Sequence, residues 1–145
     1  MSDNIEDTTI KDSSEADKLS PVVLAFMGDA VYEILVRNHL ISVMHTPPSK
    51  IHSACVGFVK ASAQAEAVRL LTPSLTDEER TILRRGRNAH TTHVPKNAIP
   101  ADYRYATGLE ALFGYLYLCG RNERIKEIFD IITQSKSAIV DNQAV

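Results

Sequence analysis

Leu24-Ala-Phe-Met-Gly-Asp-Ala-Val-Tyr32 is a run of apolar and small residues interrupted by a single acid, Asp29. Ser20-Pro21 stands just before it, an N-cap residue followed by proline at the first helical position. A helix is therefore expected from Pro21 through Val22, Val23, Leu24, Phe26, Met27, Val31, Ile34 and Leu35 to about Leu40. Apolar residues cover nearly every face of its first four turns, which predicts a central, buried helix. Outward from it, Pro47-Pro48 marks a boundary, and Ser49 is placed to cap a second helix running to Leu71, where Thr72-Pro73 ends it. Thr76-Asp77-Glu78-Glu79 reads as a capping box with acids in the first turn of a third helix, which fades near Arg87. Residues 88–101, with Pro95 and Pro100, read as a long loop. A fourth apolar helix spans about Asp102 to Cys119 and stops at Gly120, and a short amphipathic one follows from Asn122 to about Ile132. No period-2 strand pattern, repeat or low-complexity block stands out, so the fold class is all-α.

The chain has 145 residues, 44% of them hydrophobic and 23% charged, which suits one globular domain. Its formal charge of −2 conceals an asymmetry: residues 1–19 carry six acids and two bases, leaving 12 acids and 14 bases over 20–145. Residues 1–19 read as a disordered acidic leader, 20–133 as the folded domain and 134–145 as a frayed polar tail. The leader lacks the cationic start and apolar stretch of a secretory signal, and the apolar runs fall short of a membrane span. Cys55 and Cys119 are isolated and read as buried free thiols, not a zinc site. The expectation is a cytoplasmic protein, an organelle stroma being the alternative.

The chemistry concentrates in the two most apolar helices. Asp29 lies in the first, and Glu110 is the only charge between Arg104 and Arg121 in the fourth. An ionised carboxylate in such surroundings is costly unless a cation, donors or a metal compensates it. Ala25, Gly28 and Ala30 neighbour Asp29, and Gly108, Ala111 and Gly114 neighbour Glu110. Mid-helix glycine costs roughly 0.5–1 kcal/mol against alanine, so its repetition suggests helices crossing closely enough to bring the two acids together. Paired carboxylates of this kind suit magnesium; a buried arginine or backbone N–H on each is the competing reading. Glu33 shares the face of Asp29 but also lies four residues before Arg37, the spacing of a surface ion pair.

A cationic segment lies between the two acids in the chain. Arg84, Arg85, Arg87, Lys96 and Arg104, with Asn88, His90 and Asn97, offer charge and short donors to a phosphate backbone; a solvated helix end and loop is the competing reading. Residues 26–31, Phe-Met-Gly-Asp-Ala-Val, resemble the signature helix of the ribonuclease III family, and 107–118 resemble its second acidic motif. Arg85-Gly-Arg-Asn88, Pro95-Lys-Asn-Ala98 and Tyr103-Arg-Tyr-Ala-Thr-Gly-Leu-Glu-Ala111 are more specific and resemble the Mini-ribonuclease III subfamily, which lacks the double-stranded-RNA-binding domain. The resemblance covers about residues 20–133.

The resemblance implies the ribonuclease III helical bundle, a homodimer, and a magnesium-dependent endoribonuclease (manganese as substitute) leaving 5′-phosphate and 3′-hydroxyl ends on double-stranded RNA. Its substrate class would be a stem in precursor 23S ribosomal RNA, with no small-molecule cofactor. Asp29 and Glu110 match the family's metal-binding, catalytic acids. Three other acids are missing: Ala25 and Thr107 occupy two of their positions, and the third has no evident counterpart, Pro48 or Lys50 being nearest. That leaves a second metal ion in doubt. The alternative functions are a non-catalytic ribonuclease III-like RNA-binding or ribosome-associated protein, and more distantly a nucleotide phosphohydrolase.

Overall fold

The computed structural model describes residues 13–89, 94 and 96–143, with side chains as far as 136 in the last helix. Seven α-helices follow one another in the described residues, with no strand among them. They are α1 (Ser13–Asp17), α2 (Pro21–Val43), α3 (Pro48–Val59), α4 (Ala61–Leu71), α5 (Asp77–Asn88), α6 (Pro100–Leu118) and α7 (Asn122–Gln143). The core is organised around α6, which packs against α2, α4, α5 and α7. Leu109, Leu112, Phe113, Tyr115 and Leu116 of α6 are wholly buried. Burying side chains of this size stabilises by roughly 1.5–3 kcal/mol each, before entropy is counted.

The start of α2 follows its sequence signals: Ser20 Oγ accepts from the Val23 amide at 3.2 Å, with proline at the first turn. Its expected burial holds for one side only. Leu24, Tyr32, Val36 and Leu40 face the core, while Phe26 is 82% exposed and Ile34 68%. The capping box of α5 is complete, with Glu79 Oε1 accepting from the Thr76 amide at 2.9 Å. Glu79 also anchors α7 to α5, taking Arg124 Nη2 at 2.8 Å and Nε at 2.9 Å while only 2% exposed. Gly120, at φ +71°, closes α6, where a left-handed residue costs glycine little.

Three expectations are corrected. The single helix expected from 49 to 71 is two, α3 and α4, broken at Lys60 in extended geometry, ψ 150°. No glycine or proline marks the break; tertiary bonds stabilise it, because the Gly57 and Val59 carbonyls take Lys136 Nζ at 2.9 Å and Gln64 Nε2 at 2.8 Å. Within the expected disordered leader, Ser13–Asp17 form α1 with Ala16 wholly buried, residues 1–12 lying outside the described residues. The last helix continues to Gln143, past the end expected near Ile132. Lys136 holds it against α3, its ammonium also 3.8 Å from the centre of the Phe58 ring.

Candidate active site

Glycine determines how near Asp29 and Glu110 come. A Cβ added to Gly28 would lie 1.6 Å from the Glu110 carbonyl oxygen, and one added to Gly114 would lie 1.9 Å from that of Leu24. The backbones of α2 and α6 therefore touch at these two residues, and the acids beside them fall at the same crossing. Gly108 does not serve this contact as expected. It faces α5, where its own Cβ would meet the Leu83 carbonyl at 2.7 Å, opposite Gly86.

The crossing leaves Asp29 exposed and Glu110 partly buried. Burial raises the Glu110 pKa to about 7; the negative charge of Asp29 pushes the same way, and a hydrogen bond from Gln64 opposes both. Asp29 is raised too, by burial and then by Glu33. No arginine compensates either acid among the described residues; the polar contact to Glu110 is Gln64 Nε2 at 3.3 Å. The buried-arginine alternative therefore finds no support there. Glu33 pairs with Arg37 at 3.3 Å, the surface ion pair its spacing allowed.

Glu110 lines a cleft of about 610 Å³ together with Lys60, Gln64, Asn97, Asp102, Tyr103 and Thr107. Asn97 is thus the residue of the cationic segment that shares a cavity with an acid. Arg84, Asn88, Lys96 and Arg104 are exposed, and none of them lines that cleft. Arg85 and Arg87 are partly exposed; Arg87 bonds Asn88 at 3.3 Å and lies 5.8 Å from the centre of the Tyr105 ring. His90 falls outside the described residues. Thr107, at the position of a missing acid, donates to the Tyr103 carbonyl at 3.0 Å.

The sequence reading missed Lys60, Gln64 and Tyr103. Gln64 left one faint signal: Ala61, Ala63, Ala65 and Ala67 surround it, small residues of the kind that surround the two acids. Among the described residues no group of three or more histidine, cysteine or acidic side chains is arranged to hold a metal. Any cation here would rest on two carboxylates and neutral oxygens.

An all-α bundle with two facing acids at a glycine crossing defines a class. The model of the ribonuclease III domain matches residues 22–121, covering both acidic helices. A solved structure of a Fusobacterium nucleatum protein superposes with a TM-score of 0.74 at 28% identity, over 82% of this chain and 95% of that one. A Mini-ribonuclease 3 of Thermoanaerobacter sp. is 44% identical over 90% of this chain and 92% of its own length. That of Brevibacillus brevis is 46% identical over 86% and 90% respectively. The chain belongs to the Mini-ribonuclease III family, a branch of the ribonuclease III endoribonucleases.

Proposed function

We propose that the protein is a magnesium-dependent endoribonuclease that cuts double-stranded RNA, with Asp29 and Glu110 as its catalytic and metal-binding pair. The observation that carries this is the α2–α6 crossing at Gly28 and Gly114, which brings the exposed Asp29 close enough to Glu110 to act on its charge, with Glu110 lining the cleft and no arginine on either acid among the described residues. The donor set suits a hard cation: two neighbouring carboxylates, both of raised pKa, with the charge of Asp29 acting on Glu110. Manganese has the same ligand preferences and would substitute. A cation held by Asp29 and Glu110 would supply Lewis acidity, activating water and neutralising charge on the phosphodiester.

The chain's own residues supply the rest. Lys60 and Asn97, lining the cleft with Glu110, offer a cation and an amide to the phosphates beside the scissile bond. Arg84, Arg85, Arg87, Asn88, His90, Lys96 and Arg104 are assigned to the flanking backbone, where recognition depends on shape and charge. Hydrolysis at phosphorus would leave 5′-phosphate and 3′-hydroxyl ends. The exposed apolar residues of α2 (Val22, Val23, Phe26, Ile34 and Ile41) support a homodimer through that helix. Such a dimer would carry one site per subunit and cut both strands. A stem of precursor 23S ribosomal RNA is the proposed substrate, and the cytoplasm the proposed location. Among the described residues no helix is long and apolar enough to cross a membrane.

The test is cleavage of a labelled RNA duplex, with and without magnesium, by the wild-type protein and by Asp29→Asn and Glu110→Gln. Magnesium-dependent cutting that falls at least about 100-fold in both variants, with duplex binding retained, is expected. A wild-type protein that binds the duplex and never cuts it would replace this reading with a non-catalytic RNA-binding one.

A further inference from the structure

Gln64 is 3% exposed, in a helix turn otherwise made of alanine and serine. Its amide nitrogen donates to the Val59 carbonyl at 2.8 Å and to Glu110 Oε1 at 3.3 Å. The Val59 carbonyl can only accept, so the orientation of the amide is determined: the nitrogen must face it. The oxygen is left buried with no partner among the described residues. An unpaired buried acceptor costs about 1–3 kcal/mol, a cost that leucine or methionine at this position would avoid. Packing therefore does not explain a glutamine here. The Val59 carbonyl belongs to the last turn of α3, where a helix has no partners of its own for its carbonyls. The break at Lys60 thus provides a fixed backbone anchor, and Gln64 spans from it to the carboxylate.

We infer that Gln64 is a positioning residue, holding the Glu110 carboxylate beside Asp29 in the orientation that takes a divalent cation. The inference rests on the proposed metal-dependent reading of that pair. Glu110 is partly exposed to the cleft, and Gln64 is its side-chain donor among the described residues, so without Gln64 no side-chain hydrogen bond there fixes the rotation of its carboxylate. Groups that orient a metal-binding side chain typically contribute 10–100-fold to metal affinity or activity.

Gln64→Leu keeps the volume and removes the donor. Three quantities are compared with the wild-type protein: manganese affinity of the RNA-free protein by electron paramagnetic resonance, single-turnover cleavage rate, and duplex affinity without added metal. The expected result is a 10–100-fold loss in manganese affinity and in rate, with duplex affinity unchanged within about twofold. Gln64→Asn, which keeps the amide on a shorter stem, should recover part of the loss. Equal manganese affinity and rate in Gln64→Leu and wild type overturn the inference. So does a loss confined to duplex affinity, or an asparagine variant no better than leucine. If Gln64→Leu does not fold, Gln64→Met is judged by the same criteria. Asp29→Asn and Glu110→Gln run alongside: if both lose manganese and cleavage while Gln64→Leu keeps them, only Gln64 falls. A wild-type protein that neither binds manganese nor cuts overturns the metal reading and this one together.

Discussion

Glu110 carries a consequence for pH. Its pKa of about 7 in the folded protein lies above the ordinary carboxyl value of 4.5, so the folded state binds this proton more tightly than the unfolded chain does. The associated stability is fully present below pH 4.5 and is lost as pH rises through 7. In the metal-free protein, Glu110→Gln should therefore leave stability nearly unchanged near pH 4.5 and raise it near pH 8.5, by on the order of 2 kcal/mol. Urea unfolding of both proteins at the two pH values measures this, and an equal effect at each would contradict it. A bound cation favours the ionised form, so raising magnesium should move the acidic limb of cleavage to lower pH. At this scale Asp29 and Glu110 were legible because a charge inside an apolar helix violates its local pattern. Gln64 was not, because a glutamine in a half-polar helix violates nothing until its burial is known.

Between elements, glycine separates the contacts that tolerate a methyl group from those that do not. Gly28 and Gly114 meet backbone atoms, which have no rotamer to change, so an added methyl must push α2 and α6 apart. Gly28→Ala and Gly114→Ala should each cost about 3 kcal/mol or more, or prevent folding. Gly57 of α3 has nothing within 4 Å of an added Cβ, and Gly57→Ala should stabilise by about 0.5–1 kcal/mol through helix propensity. Thermal melts of the three variants give the comparison, and a Gly28→Ala protein as stable as Gly57→Ala would refute the crossing. The caps and glycines that mark helix ends are local signals, which is why α2, α5 and α6 begin and end close to where the sequence puts them. The break at Lys60 and the extension of α7 were illegible for the opposite reason. Both depend on Lys136 and Gln64 reaching carbonyls that are distant in the chain or freed only by the break itself. The partners of Gly108 were misassigned because spacing shows that a helix needs close approach and not which neighbour approaches.

For the whole molecule, the question is what covers the outer side of α2. Val22, Val23, Phe26, Ile34 and Ile41 recur at helical spacing along it, and Phe26 is the most exposed of them. Asp29 lies three residues from Phe26 on the same helix, so a second copy docking there would approach the acidic pair as well as cover apolar surface. Phe26→Glu, at an exposed position with no core contact to lose, should leave the melting temperature within a few degrees of the wild-type monomer's own value. It should abolish self-association, because a buried carboxylate facing apolar residues is destabilising by several kcal/mol. Sedimentation velocity at micromolar concentration is expected to give a dimer for the wild type and a monomer for Phe26→Glu, with Ile34→Glu behaving alike. Cleavage should then follow the dimer: the variant loses duplex cutting although Asp29, Glu110 and Gln64 are intact. A wild-type protein that sediments as a monomer and cuts at full rate would mean that the apolar stripe has another use and that one subunit contains all the residues the reaction needs.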